Sequence, residues 1–532
     1  MRPKSYVDEA AAARRLAGWT SPSQLVLAAA RRYSKRTALV FGRRSWTFHE
    51  VNVRANRLCH GLLAAGVRPD DRVSVLRGNI PEHVEIQLAL FKLGVGMINV
   101  NPRLSPTEMA FQILDSESRV LIVAADYLPL LEQMRDQIGE VDTVLVLGED
   151  TGGWLSYEGL LSVGSEREPD IVVAPDNLGY IRYTSGTTGA PKGVVHDQYT
   201  LAAVTRNLLL DYTADLSSDD AMLAVQGVYH GAGWFVLPCW IRGAKFVITD
   251  DYDPGHVERV IRDERITLIK SVPTVLLPLI HEDGVSARTF RQVRSIVYGA
   301  SAIPQAALER GLERIGPRFV QLYGQAESPM TITVLRREDH TAELLGSAGR
   351  AITHASVRVV DDDGNSIVGG TGEVQVLGDH NMRGYWRGSG KPTEYPWDDA
   401  WVRTGDIGRI DEQGFVFLTD RKGDMMITGG LNVYPNEVEQ VLYRHPAVRE
   451  VAVVGVPDDR WGERVVAIIV ADPALREEGE TALAELCRTG LGAFKCPREY
   501  RFVDDLPKNA AGKIMRRTLK ESFWADRERL VN

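Results

Sequence analysis

The chain has 532 residues, 44% of them hydrophobic and 25% charged, with a formal net charge of −9. That length is too great for one hydrophobic core, so two or more domains are expected. An acidic balance argues against nucleic acid as a partner, and no run of about 18 or more apolar residues predicts a membrane span. The four cysteines, Cys59, Cys239, Cys487 and Cys496, show no CxxC spacing. A disulfide framework or zinc site is therefore not expected, and a reducing, cytoplasmic setting fits. The N-terminal MRPKSYVDEAAAARRLAGW carries charge throughout and lacks the apolar stretch of a signal peptide.

In chain order, Ser23 to Tyr33 reads as an amphipathic helix, Thr37 to Phe41 as a short strand, and Trp46-Thr-Phe-His-Glu as the opening of a helix that ends at Gly66. Arg72 to Leu76 reads as a strand, Pro81 to Leu93 as a helix, and Val120 to Ala124 and Thr143 to Leu147 as buried strands. Strands are also expected at Lys245 to Thr249, Leu268 to Ser271 and Ser295 to Tyr298. This alternation predicts a multi-domain α/β protein whose large N-terminal domain is built of layered parallel α/β subdomains. From about 355 the texture changes to short β segments at Ala355 to Asp361, Gly372 to Leu377, Gly408 to Ile410 and Gly414 to Leu418. Turn signals such as Asp363-Gly-Asn separate them, which suggests a β-rich subdomain. After Arg421 comes a compact α+β unit, with a helix from about Pro435, strands at Val451 to Val456 and Arg464 to Ala471, and a helix near Thr481 to Thr489. The expected division is 1–421 and 422–532.

The strongest local signal is Tyr183-Thr-Ser-Gly-Thr-Thr-Gly-Ala-Pro-Lys-Gly193. Glycines let backbone N–H groups turn toward an anion, hydroxyls add donors, and lysine adds charge, so the composition is that of a phosphate cradle. It is not the P-loop pattern, because Lys192 follows Pro191 and precedes Gly193. This stretch resembles the signature loop of the adenylate-forming superfamily: acyl- and aryl-CoA synthetases, luciferase-like enzymes and nonribosomal adenylation domains. Further motifs in matching order extend the resemblance over nearly the whole chain.

The resemblance implies an ATP site made of Thr184, Ser185, Gly186, Thr187, Thr188, Gly189 and Lys192, with the strand-end turn Gly299-Ala300-Ser301 along the adenine. Tyr323-Gly324-Gln325-Ala326-Glu327 resembles the family's Tyr-Gly-x-Thr-Glu, in which the tyrosine stacks on adenine and the glutamate helps to hold Mg²⁺. Ala326 departs from that pattern. The missing hydroxyl would cost about 1.5–3 kcal/mol of α-phosphate binding if nothing replaces it. Asp406, in Trp401-Val-Arg-Thr-Gly-Asp, resembles the ribose-binding aspartate, and a carboxylate suits two hydroxyl donors.

Asp420 to Glu439 resembles the family's domain junction. Arg421 would contact ribose and phosphate, and Gly429 and Gly430 would line the passage for coenzyme A. Gly423 stands at the pivot position, where the family commonly has Asp or Lys. Leu506 to Ile514 is similar to the C-terminal lysine loop, which makes Lys513 the expected catalytic ammonium at the α-phosphate. Val228-Tyr229-His230-Gly231-Ala-Gly-Trp234 resembles the mouth of the acyl pocket, with His230 as a gate and Tyr229, Gly231, Trp234, Tyr298, Gly324, Pro329 and Met330 lining it. Trp234 favours a short or aromatic acid, whereas Leu431-Asn-Val-Tyr-Pro-Asn-Glu-Val-Glu439 is similar to fatty-acyl-CoA synthetases. The expected reaction is ATP-dependent formation of an acyl-adenylate, then of a coenzyme A thioester. Transfer to a carrier-protein thiol, an amine or another small nucleophile is the alternative.

Overall fold

The computed structural model describes residues 19–102, 104–139, 141–148, 151–184, 191–281, 287–301, 303–388, 395–397, 399–421, 424–428, 431–458, 461–508 and 513–528. Among them run two large sheets and one smaller one. In the first, six neighbouring strands are mutually parallel: Phe319–Tyr323, Ser295–Tyr298, Leu268–Ser271, Ala221–Ala224, Lys245–Ile248 and Thr37–Phe41. The second has Leu178–Thr184, Gly96–Val100, Arg72–Leu76, Val120–Ala124 and Thr143–Leu147 in parallel. Strands buried on both faces carry continuous apolar runs, as in Val120–Ala124, where every residue is buried.

The β segments expected after 355 are present, two of them clearly longer than their sequence signals, Val402–Ile410 and Phe415–Arg421. They do not form a sheet of their own. They pair antiparallel onto the end of the first sheet through Gly349–Ala351 and Thr333–Leu335. The third sheet combines Met426–Thr428, Leu431–Val433, Val448–Asp458, Gly462–Ala471 and Glu499–Phe502, with the helix Pro435–Leu442 packed on it.

The helix Glu82–Leu93 is buried around its whole circumference, polar residues included. Several of its polar groups are paired inside the protein, whereas both ring nitrogens of His83 find no partner among the described residues. Glu85 accepts hydrogen bonds from Arg54 Nη2 at 2.8 Å and from the Tyr157 hydroxyl at 2.7 Å. Gln87 donates to the Gly233 carbonyl at 3.0 Å. Lys92 Nζ donates to Asn52 and Asn56 and meets Glu168 at 2.6 Å. Gly94 ends the helix at φ 65, the left-handed cap that glycine adopts without strain. This helix ties the second sheet to the turn that carries His230.

Removing one partner of a buried ion pair leaves an uncompensated charge. Glu168→Ala should therefore lower unfolding free energy by about 3 kcal/mol. Asp219→Ala, which breaks the exposed Arg36–Asp219 pair, should change it by less than about 1 kcal/mol. Urea denaturation of the two variants side by side checks the contrast.

Candidate active site

Parallel α/β sheets present ligand sites at the carboxyl ends of their strands. Here Ser295–Tyr298 runs into Gly299-Ala300-Ser301, and Phe319–Tyr323 runs into Gly324-Gln325-Ala326. Both turns need backbone without bulk. A Cβ on Gly299 would stand 2.4 Å from the Leu322 carbonyl oxygen, and one on Gly324 would stand 2.6 Å from Met330 N. Ala300 and Met330 adopt positive φ of 79 and 63, local strain of the kind that clusters at binding sites. The turns open onto a cavity of about 920 Å³, also bordered by Asp406, Arg421 and Lys513.

Three charged groups meet there. Asp406 is buried in Val402–Ile410, directly across the strand pair from Arg421. Its Oδ2 accepts the Tyr323 hydroxyl at 2.5 Å, and its Oδ1 lies 3.2 Å from Arg421 Nε. Burial, with Asp406 alongside, holds the Tyr323 hydroxyl well above the usual phenol range. Burial also pulls the Lys513 ammonium down to about 8, with the Arg421 guanidinium pushing the same way and Asp406 opposing. Lys513 is held in place by the Lys508–Ile514 bridge and by the Met515 amide, which donates to the Pro507 carbonyl at 2.8 Å. Behind it Arg516 joins Glu439 at 2.6 Å and Asp424 at 3.7 Å. Asp420, which borders the same cavity, is pushed up to about 6 by burial while accepting the Asn436 amide at 2.9 Å.

A second cluster lies at the other end of Tyr323–Glu327. Lys192 opens the strand Lys192–Asp197 and pairs across from Thr184. Ser185, Gly186, Thr187, Thr188 and Gly189 lie outside the described residues, as do Gly423, Gly429 and Gly430. Lys192 Nζ stands 5.0 Å from the centre of the Tyr385 ring, and the Tyr385 hydroxyl donates to Glu327 Oε1 at 3.1 Å. The sequence gives no warning of Tyr385. Its strand, Gly384–Tyr385, is two residues long, too short for a periodic signal.

The Tyr229 and His230 rings stand 4.5 Å apart. A Cβ on the adjacent Gly231 would meet the Gln226 amide at 3.3 Å and Met330 Cε at 3.5 Å. Pro329 is buried next to Met330. Two expected lining residues are turned elsewhere. Trp234 is buried between the large sheets, edge-on to Tyr180 at 5.1 Å and His196 at 5.8 Å, with the Arg182 guanidinium over its ring. Tyr298 lies in the core on the far face of the first sheet, its hydroxyl donating to Gln321 and meeting His340 Nε2 at 3.1 Å. Strand alternation places Ile296 and Tyr298 together on that face, away from the crevice. Neither residue borders the cavity at the strand ends.

Comparison with known proteins identifies the family. The chain is 34% identical to the fatty acid–acyl-carrier-protein ligase ScoC of Streptomyces coeruleorubidus, over 92% of this chain and 94% of the relative. It is also 34% identical to a feruloyl-CoA synthase of an Amycolatopsis species, over 92% and 96%. The solved anthranilate CoA ligase AuaEII, in complex with anthranoyl-AMP, superposes with a TM-score of 0.85 at 27% identity, over 95% of this chain and 97% of that one. Residues 26–386 match the AMP-binding enzyme family, and 437–513 match the AMP-binding enzyme C-terminal domain. The chain belongs to the AMP-binding enzyme family and is an adenylate-forming acid ligase.

Proposed function

We propose that this enzyme joins a carboxylic acid to AMP at the expense of ATP and then passes the acyl group to the thiol of coenzyme A. The observation that carries the reading is Lys513, an ammonium from the C-terminal part of the chain buried beside Asp406 and Arg421 at the strand-end cavity.

In the first half-reaction a carboxylate oxygen attacks the α-phosphorus of ATP, and the bond to pyrophosphate breaks. Tyr323 and the backbone of Gly299, Ala300 and Ser301 take the adenine, with Gly324, Gln325 and Ala326 along the phosphate side. Asp406, held by Tyr323 and Arg421, accepts the ribose hydroxyls. Arg421, Lys192 with the Thr184–Gly189 loop, and Lys513 offset the charge that grows at phosphorus. Glu327 supplies a hard oxygen ligand of the kind Mg²⁺ takes alongside substrate phosphates. A bound Mg²⁺ would neutralise phosphate charge and hold the triphosphate in line. Tyr385 fixes that carboxylate from one side. Tyr229, His230, Gly231, Pro329 and Met330 border the acid, with His230 as its gate.

In the second half-reaction the unit 422–532 turns about Gly423 and withdraws Lys513. The Gly429–Gly430 backbone then borders the thiol's approach. Sulfur attacks the acyl carbon, the thiol proton goes to solvent, and AMP leaves. The relative named as an acyl-carrier-protein ligase supports a second reading, in which the thiol belongs to a carrier protein.

Pyrophosphate release should depend on an added acid, and AMP should accumulate catalytically only when coenzyme A is present. AMP release that requires a loaded carrier protein instead selects the second reading. The pH dependence follows from Lys513. Its ammonium is the active form and its folded value is lowered to about 8, so the charge is present below that pH and lost above it. Accordingly kcat/KM for ATP in pyrophosphate release should fall as pH rises through about 8. A profile flat across the alkaline range contradicts the role.

A further inference from the structure

Lys270 is left without a task by the chemistry above. It lies in the strand Leu268–Ser271, is 1% exposed, and donates to the carbonyl of its neighbour Ser271 at 2.7 Å. Among the described residues no carboxylate forms a salt bridge with it. An ammonium has three protons to donate, and a buried one without a counter-charge is costly. Burial alone pulls it down to about 7. Lys92 shows what a structural solution looks like, with two asparagines and a glutamate around it.

Strand register tells which space Lys270 faces. It pairs with Ala224 on one side and Val297 on the other. Leu268, Ala224 and Val297 belong to the core that also holds Val228 and Ala232, with Met330 packed against it. Ile269, Leu223 and Ile296 belong to the core on the opposite face. By alternation Lys270 shares the first face, and Gln226 follows just past the end of the neighbouring strand Ala221–Ala224, where the Val225 amide still donates to the Lys270 carbonyl at 3.1 Å. Gln226 Oε1 is buried with no donor, and its amide borders Gly231. Among the described residues an under-satisfied ammonium on one strand thus stands near an under-satisfied amide that follows the next strand and borders Gly231.

We propose that Lys270 and Gln226 form the polar floor of the acid-binding space and select acids bearing an oxygen group, a hydroxyl or a second carboxylate, at the end away from the reacting carboxyl. This rests on the adenylation reading of the same site. A hydroxyl would accept from Lys270 and donate to Gln226 Oε1. A carboxylate would accept from Lys270 and, with the amide turned over, from Gln226 Nε2. A methyl end leaves both groups unpaired, and sites built to hydrogen-bond a substrate reject analogues that lack the partner.

The test is kcat/KM for pyrophosphate release with acids of matched length ending in methyl, hydroxyl or carboxylate, aliphatic and aromatic. At least one oxygen-bearing acid should exceed its methyl-ended counterpart by about a hundredfold, and Lys270→Met should cut that ratio to about tenfold or less. Lys270→Gln separates the two classes, since it keeps a donor for a hydroxyl but removes the charge that a carboxylate needs. Equal rates within every set for the unaltered enzyme overturn the proposal, whether or not the variants fold. A ratio that Lys270→Met leaves unchanged overturns it too. Failure of every acid to release pyrophosphate would overturn the adenylation reading, and this inference with it.

Discussion

The site is organised around one buried ammonium set among other charged groups. Lys513 is buried against Arg421, and Arg516 stands behind both with Glu439 and Asp424. Burial is the largest cost to the Lys513 ammonium, Arg421 and Arg516 add to it, and the carboxylates of Asp406 and Asp424 offset part of it. Asp406 is also shared between Tyr323 and Arg421. An ammonium held in this way is poised for phosphate charge that develops during reaction, which is where preorganised electrostatics act most strongly.

The rest of the fold serves that convergence. Parallel strands bring the turns at Gly299 and Gly324 to one crevice, where backbone can lie against a flat ligand because a side chain at either position would strike Leu322 or Met330. The segment Tyr323–Glu327 then connects two charged clusters, Asp406 with Lys513 at one end and Glu327 with Tyr385 and Lys192 at the other. The buried helix Glu82–Leu93 reaches the acid side through Gln87 and Gly233. One α/β scaffold therefore brings both turns, with Asp406 and Arg421, to one crevice, while the Lys513 ammonium arrives from the C-terminal part of the chain.

Much of this was legible in the sequence, for physical reasons. Buried parallel strands carry mostly apolar, β-branched runs, so Arg72–Leu76, Val120–Ala124 and Ser295–Tyr298 have the limits their sequences suggest. Arg44–Thr47 and Gly384–Tyr385 escaped because short edge strands carry little periodic signal. The phosphate loop, Asp406 and Lys513 stood out by motif. The partnership of Tyr323 with Asp406 did not, since it spans 83 residues of chain. The sequence points Trp234 and Tyr298 toward the acid because residue type reveals apolar surface but not the face it meets. Lys270 and Gln226 were invisible for the converse reason: a single polar residue in an apolar strand marks nothing until the neighbouring strands are known.

The central claim is that Lys513 acts in the first half-reaction and is withdrawn for the second. The direct measurement is a single turnover by Lys513→Ala, with each half followed separately. Adenylate formation from acid and ATP should slow by about a hundredfold or more, while thioester formation from supplied acyl-adenylate and coenzyme A should proceed near the normal rate. Adenylate formation at the unaltered speed would contradict the account.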